Sequence, residues 1–289
     1  MIIINIKPFD DFEKDYSYSN FVSNIMKKNF VLITGASSGL GLEFAQLAAS
    51  KNYNLVLIAR RQKELARISE TLSLQHNIIV HTIEKDLSLT SSAREIFEEV
   101  NEKFNLEIDI LINNAGFGTN GEFHLNNFNT ELDQIRVNVL SLVALTRLFI
   151  PGMMERDKGI ILNVASTAAY QPGPYMSVYY ATKAFVKNFT LGLNYELRGT
   201  NVKVTLFAPG PTRTEFQKTA NMKDSIVANE MLMMDAQKAA KNGFEGALKG
   251  KKEVIPGFKN KLGVLAVKLL PEFVITRIVS KVNKNRINK

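Results

Sequence analysis

The 289-residue chain predicts an α/β protein, a single doubly wound parallel sheet of about seven strands with helices on both faces. Three observations carry that prediction. Short apolar runs alternate with longer amphipathic stretches along most of the chain. The runs are mostly β-branched and continuously apolar, the pattern of strands buried on both faces. No internal repeat or low-complexity linker interrupts the alternation, so one domain is expected.

In order, the runs are NFVLIT (29–34), NLVLIA (54–59), IIVHTIEKD (78–86), IDILIN (108–113), GIILNVAS (159–166), VKVTLFAPG (202–210) and EVIPG (253–257). Helical stretches between them include 40–51, 91–104 and 180–199. The folded domain is expected over residues 28–257. Residues 1–27 read as an extension in which a short apolar start meets acidic residues, unlike a secretory signal; translation from Met26 is an alternative start. Residues 258–289 read as a basic, amphipathic helical extension.

Composition narrows the chemistry. Without cysteine there is no disulfide, thiolate metal site or cysteine nucleophile, and the three histidines are scattered without metal-ligand spacing. A cytoplasmic location is expected. The net charge of +8 suggests nucleic acid until it is placed. Residues 249–289 hold eleven Lys or Arg against two Glu, +9, which leaves the other 248 residues at −1. A nearly neutral body argues against nucleic-acid binding. No run approaches the roughly 20 uninterrupted apolar residues of a membrane span.

The first strand runs into TGASSGLG, Thr34 to Gly41, which opens a helix. Gly35, Gly39 and Gly41 let backbone approach a pyrophosphate, and the helix N-terminus favours its charge. The stretch reads as a dinucleotide-binding loop or as a tight strand-to-helix corner, and its spacing is G-x-x-x-G-x-G rather than the Rossmann G-x-G-x-x-G. The second strand ends LIARR. Ala59 stands where an acid would accept the ribose hydroxyls of NAD, and Arg60 and Arg61 follow. Arginine pairs bidentately with a 2′-phosphate, worth roughly 1.5–3 kcal/mol, so NADP(H) is the expected cofactor, with Arg60 the stronger candidate. Asp86, at the end of the third strand, either contacts adenine or caps the next helix.

A second constellation follows in SVYYATKAF, residues 177–185. A tyrosine and a lysine one helical turn apart make a plausible proton-transfer pair. Both Tyr179 and Tyr180 stand within one turn of Lys183, and helix geometry alone leaves the choice open.

TGASSGLG, NNAG (113–116), the asparagine of IRVNVLSLV, Ser166, YYATK and PGPTRT occur in the order that resembles the short-chain dehydrogenase/reductases of the classical type, over about residues 28–257. The resemblance selects Tyr179: the family's lysine follows its tyrosine by four residues and its serine precedes it by about thirteen, which fits Lys183 and Ser166. It implies a catalytic set of Asn138, Ser166, Tyr179 and Lys183. Ser166 would hold the substrate oxygen, Lys183 would bond the nicotinamide ribose and lower the Tyr179 pKa, and Asn138 would support a water leading to Lys183. Cofactor contacts would come from Gly35, Ser37, Ser38, Gly39, Leu40 and Gly41, from Arg60, Arg61, Asp86 and Leu87, and from Asn114, Ala115 and Gly116. Tyr179, Lys183, Pro209, Gly210 and Thr212 would complete them; Thr214 would either join or cap a helix. The implied activity is hydride exchange between NADP(H) and a carbonyl or secondary alcohol. A dinucleotide-sensing protein without catalysis is the rival from another class.

Residues 211–248 are expected to form a substrate lid, with Met222, Met231, Met233 and Met234 either lining an apolar pocket or packing. Tyr170, Pro172, Tyr175 and Met176 are expected to line the pocket too. In the tail, Leu262, Leu265, Ala266 and Leu269 share a helix face, Pro271 interrupts, and Val274, Ile278 and Val282 resume it. That face either packs on the body, or lies as a peripheral contact on the inner membrane surface, where a reductase of lipid-derived 3-keto compounds would work. The resemblance implies a homodimer or homotetramer built on the helices carrying Asn138 and Tyr179.

Overall fold

The computed structural model describes residues 29–216, 220 and 233–284. Strands β1 (Phe30–Thr34), β2 (Asn54–Ala59), β3 (Val80–Glu84), β4 (Ile108–Asn113), β5 (Gly159–Val164), β6 (Val202–Phe207) and β7 (Glu253–Val254) form one sheet in the order β3-β2-β1-β4-β5-β6-β7. All neighbouring pairs are parallel. The third, fifth, sixth and seventh runs prove shorter than their apolar letters suggest, because each hands its last residues to a loop at the carboxyl edge. The order reverses direction after β1, and the gap between β1 and β4 is therefore where such sheets admit a ligand.

Helices α1 (Gly39–Ala49), α2 (Gln62–His76), α3 (Ser92–Glu98) and α4 (Phe128–Glu155) alternate with the first strands, and α5 (Ser177–Glu196) and α6 (Ala236–Leu248) with the later ones. One layer packs α1, α2 and α6 through Phe44, Leu65 and Phe244; the other packs α3 and α4 through Ile96, Leu145 and Phe149. Helix α6 occupies the last third of the expected lid. Its alanines and glycines, Ala239, Ala240, Gly243 and Ala247, sit buried against the sheet and α1, so this part is core. Met222 and Met231 lie outside the described residues, as does the expected N-terminal extension.

Helix α4 is long and apolar enough to cross a membrane, but its inner face is buried through Leu142, Leu145, Phe149 and Met153. Its course widens to a π turn at Arg136–Leu140, a feature that often marks functional positions.

The tail forms α7 (Phe258–Leu269) and α8 (Glu272–Asn283), broken at Pro271 as expected. The faces differ from the expected ones. In α8 the buried row is Ile275, Val279 and Asn283, one residue on from Val274, Ile278 and Val282. In α7 only Val264 is buried, and Leu262, Leu265 and Leu269 face outward. A buried asparagine at the end of the α8 row is the reason apolar periodicity alone picks the wrong register.

Candidate active site

Above the carboxyl edge of β1, β2, β4, β5 and β6 lies one continuous cavity of about 940 Å³. Its outer half is framed by the β1–α1 loop. Gly35 takes φ +68°, a left-handed conformation that a side chain would strain. Gly41 does not line the cavity. A Cβ there would run into the Gly35 carbonyl, so its role is to let α1 start directly behind the loop. Ser38 occupies the N-cap of α1 without a side-chain capping bond, and no acid stands in the first turn. The α1 amides therefore face the cleft without a capping side chain, the arrangement a phosphate needs. Ser37, Ser38, Gly39 and Leu40 all line the cavity.

The edge of β4 braces this loop. Asn114 donates from Nδ2 to the Thr34 carbonyl at 2.8 Å, and the Thr34 hydroxyl accepts from the Asn114 and Ala115 amides at 3.0 Å each. Asn114 thus shapes the loop while also lining the cavity with Ala115 and Gly116.

At the far end Ala59, Arg60, Arg61, Asp86 and Leu87 form the rim. The two arginines divide the work differently from the expectation. Arg61 is fixed to the glycine loop, donating from Nε to the Ser37 hydroxyl and from an Nη to the Ser37 carbonyl, both at 3.1 Å, and pairs with Glu215 at 3.1 Å. Arg60 extends into solvent and meets Asp86 at 3.8 Å, a pair worth at most about 1 kcal/mol and easily exchanged. Asp86 accepts from the Ser88 amide at 2.9 Å, closing the turn that leads to α3.

The inner half holds the second constellation. Ser166, at the end of β5, accepts from the Ala168 amide at 3.1 Å and hydrogen-bonds Tyr179. Lys183, one turn along α5, is buried; it donates to the Val164 carbonyl at 2.9 Å, and its Nζ lies 5.9 Å from the centre of the Tyr179 ring. Burial pushes the Tyr179 phenol above its ordinary range, against the pull of the Ser166 bond. Burial also pulls the Lys183 ammonium down to about 8. The expected lowering of the phenol by Lys183 is not what dominates here: desolvation wins, and the protein by itself holds Tyr179 neutral.

Asn138 sits in the π turn of α4. Its Oδ1 accepts from the Phe117 amide at 3.0 Å, and its Nδ2 donates to the Phe117 carbonyl at 2.9 Å and to the Thr182 hydroxyl at 3.0 Å. Every polar atom of this side chain is therefore used in clamping the β4–α4 loop to α5. Gly116 leaves room for it, since a Cβ there would stand 3.0 Å from Asn138 and 3.2 Å from Lys183.

Pro209, Gly210 and Thr212 line the cavity after β6, and Thr212 donates to the Gly210 carbonyl at 2.9 Å. Thr214 joins the cavity wall, and its hydroxyl also accepts from the Phe216 amide at 3.2 Å. Of the four residues expected to line the pocket between Ser166 and Tyr179, only Met176 does. Tyr170 bonds Glu253 at 2.7 Å elsewhere, and Tyr175 and Pro172 stay outside the wall. The sequence reading missed Phe216, Val279 and Asn283, which complete the wall. Among the described residues no cluster of metal ligands occurs.

Comparison with known proteins gives the family and the fold. The family model for short chain dehydrogenases matches residues 29–225. A very-long-chain 3-oxoacyl-CoA reductase from Rattus norvegicus is 34% identical over 194 residues, 65% of this chain and 61% of the rat protein. The match therefore spans about three fifths of that relative. A short-chain dehydrogenase from Sphingobium yanoikuyae in complex with NADPH shares the fold at a TM-score of 0.75, with 27% identity over 91% of this chain and 99% of the other. A bulky-bulky ketone specific alcohol dehydrogenase from Comamonas testosteroni superposes at 0.71, with 27% identity over 84% and 94% of the two chains. With the family model matched over residues 29–225, more than half of its length, the chain belongs to the short-chain dehydrogenase family.

Proposed function

We propose that the protein is an NADP(H)-dependent oxidoreductase that interconverts a carbonyl and a secondary alcohol on an apolar substrate. The observation that carries this reading is the convergence of Ser166, Tyr179 and Lys183 on the cavity that the glycine loop opens into. When bound, NADP(H) supplies or accepts the hydride. The residues present suit it: the cradle at Gly35, the α1 N-terminus without a capping side chain, and Arg60 and Arg61 at the rim where Ala59 replaces an acid.

The chain's own work is proton chemistry and positioning. The Ser166 hydroxyl orients the substrate oxygen beside Tyr179. The neutral Tyr179 phenol donates its proton to that oxygen as the carbonyl carbon takes the hydride, and the product is the alcohol. Below about pH 8 the Lys183 ammonium favours the phenolate left behind. Proton transfer of this kind contributes typically 10²–10⁴-fold. A neutral phenol before reaction suits reduction. The intact set also speaks against a protein that only senses the dinucleotide. Cofactor oxidation with NADPH and NADH over aldehydes, ketones and 3-oxoacyl compounds tests the reading. NADPH-preferring turnover is expected; equal use of NADH would remove the selecting role given to Arg60.

Two finer statements rest on exposed apolar faces. The outer faces of α4 and α5 present Leu140, Met154 and Phe185, which fits self-association through these helices into a dimer or tetramer. The tail presents Phe258, Leu262, Leu265, Leu269 and Phe273, interleaved with Lys259, Lys261 and Lys268. A cationic apolar face favours anionic lipid and repels a copy of itself, so peripheral membrane contact is the fitting role. Sedimentation with phosphatidylglycerol vesicles, but not phosphatidylcholine vesicles, is expected, and lost on removing residues 258–289.

A further inference from the structure

We infer that helix α8 of the tail is a wall of the substrate pocket, and that Asn283 is the positioning residue that fixes this wall and so selects long apolar substrates. The inference rests on the oxidoreductase reading for the identity of the pocket and goes beyond it in assigning what bounds the substrate.

Asn283 is 1% exposed although it lies at the last turn of a helix near the end of the chain. A buried amide there is costly unless its polar atoms are paired, and they are. Its Oδ1 accepts from the Tyr180 hydroxyl at 3.3 Å, its Nδ2 donates to the Pro174 carbonyl at 3.1 Å, and its carbonyl accepts from Asn120 Nδ2 at 2.8 Å. These three partners come from α5, from the β5–α5 loop and from the β4–α4 loop. One residue of the tail thus ties together the segments around the pocket mouth.

The bond to Tyr180 also explains the neighbouring tyrosines. Tyr179 turns to Ser166, while Tyr180 turns the other way, over Gly173 and onto α8; a Cβ on Gly173 would run into its ring. The two rings meet edge to face with centres 6.0 Å apart, and Phe216 approaches Tyr179 at 5.1 Å. Val279 and Val282, one turn and one residue before Asn283, line the cavity with Met176 and Phe216. Met176 and Phe216 pack beside the proton donor, and Val279 and Val282 of the tail add further apolar lining to the same cavity. A ligand with a carbonyl at Ser166 and an extended hydrocarbon arm would lie along Val279 and Val282, each buried methylene contributing roughly 0.8 kcal/mol. A short ketone would gain nothing from them.

The test compares wild type, Asn283→Ala, Tyr180→Phe and Val282→Ser, the last at a half-buried position that threatens folding least. NADPH affinity, kcat and KM are measured for 2-butanone and 2-decanone. The expected result is NADPH affinity within about twofold of wild type, with the ratio of kcat/KM for 2-decanone over 2-butanone falling at least tenfold, chiefly through KM. Binding of 2-decanone in the presence of NADP⁺, read as the rise in Tm, needs no turnover and is expected to fall in parallel. A wild type that binds 2-decanone through α8 yet reduces no ketone would keep the wall and sink the oxidoreductase reading. An unchanged ratio in all three variants, or no 2-decanone binding by wild type, overturns the wall itself.

Discussion

At the scale of single residues, burial rather than charge sets the chemistry of the site. Tyr179 and Lys183 are both held toward their neutral forms, and the lysine reaches about 8. Its charged form is present below that value, so carbonyl reduction is expected to stay level through neutral pH and decline as pH rises past 8. A pH–rate profile under saturating NADPH checks this, and a decline centred near 10 would show that Lys183 keeps an ordinary ammonium. Arg61 is expected to matter more than Arg60 for the shape of the cofactor loop, because Arg61 alone grips Ser37. Arg61→Ala should weaken NADPH and NADH binding together, whereas Arg60→Ala should weaken NADPH selectively, as titration with each cofactor would reveal. Helix spacing made a tyrosine and Lys183 legible as a pair, whereas the choice of Tyr179 over Tyr180 and the part of Ser166 came from the family resemblance. Asn283 was not legible, since its partners lie 103 to 163 residues away and nothing local marks an asparagine in a basic tail.

At the scale of elements, the alternation of apolar runs placed all seven strands: β1, β2, β4, β5 and β6 are buried almost throughout, and the edge strands β3 and β7, though partly exposed, keep enough apolar letters to be read. Strand ends were harder: a run such as VKVTLFAPG stays apolar after the ladder stops at Phe207, where loop residues line the cavity instead. Helix α6 was hidden for a related reason. Its core face is built from alanine and glycine, which carry little hydrophobic signal yet allow close packing on the sheet. Phe244 supplies the bulk on that face and meets Tyr53 edge to face at 6.1 Å. Phe244→Ala is expected to destabilise the fold by roughly 3–5 kcal/mol, the usual range for a buried phenylalanine. Thermal or urea unfolding would register it, and a change below about 1 kcal/mol would mean that α6 is not part of the core. The π turn around Asn138 lay beyond periodicity altogether, since one extra residue in a helical turn leaves the letters unchanged.

At the scale of the whole molecule, one sheet brings segments far apart in sequence to a single edge. The glycine loop follows β1, the rim β2 and β3, the brace β4, the serine β5 and the closing loop β6, while α8 returns from the tail to shut the far side. The chemistry follows from that gathering: a cradle for a charged dinucleotide opens into a pocket where a partly buried phenol is held protonated. The measurement that tests this most directly is the fate of deuterium. NADPH labelled at the transferring position is mixed with a ketone that the enzyme reduces, and the product is analysed by mass spectrometry for wild type and Tyr179→Phe. Deuterium on the former carbonyl carbon, with transfer at least 10²-fold slower in the variant, is the predicted result. Product without deuterium, or equal transfer by Tyr179→Phe, would contradict it.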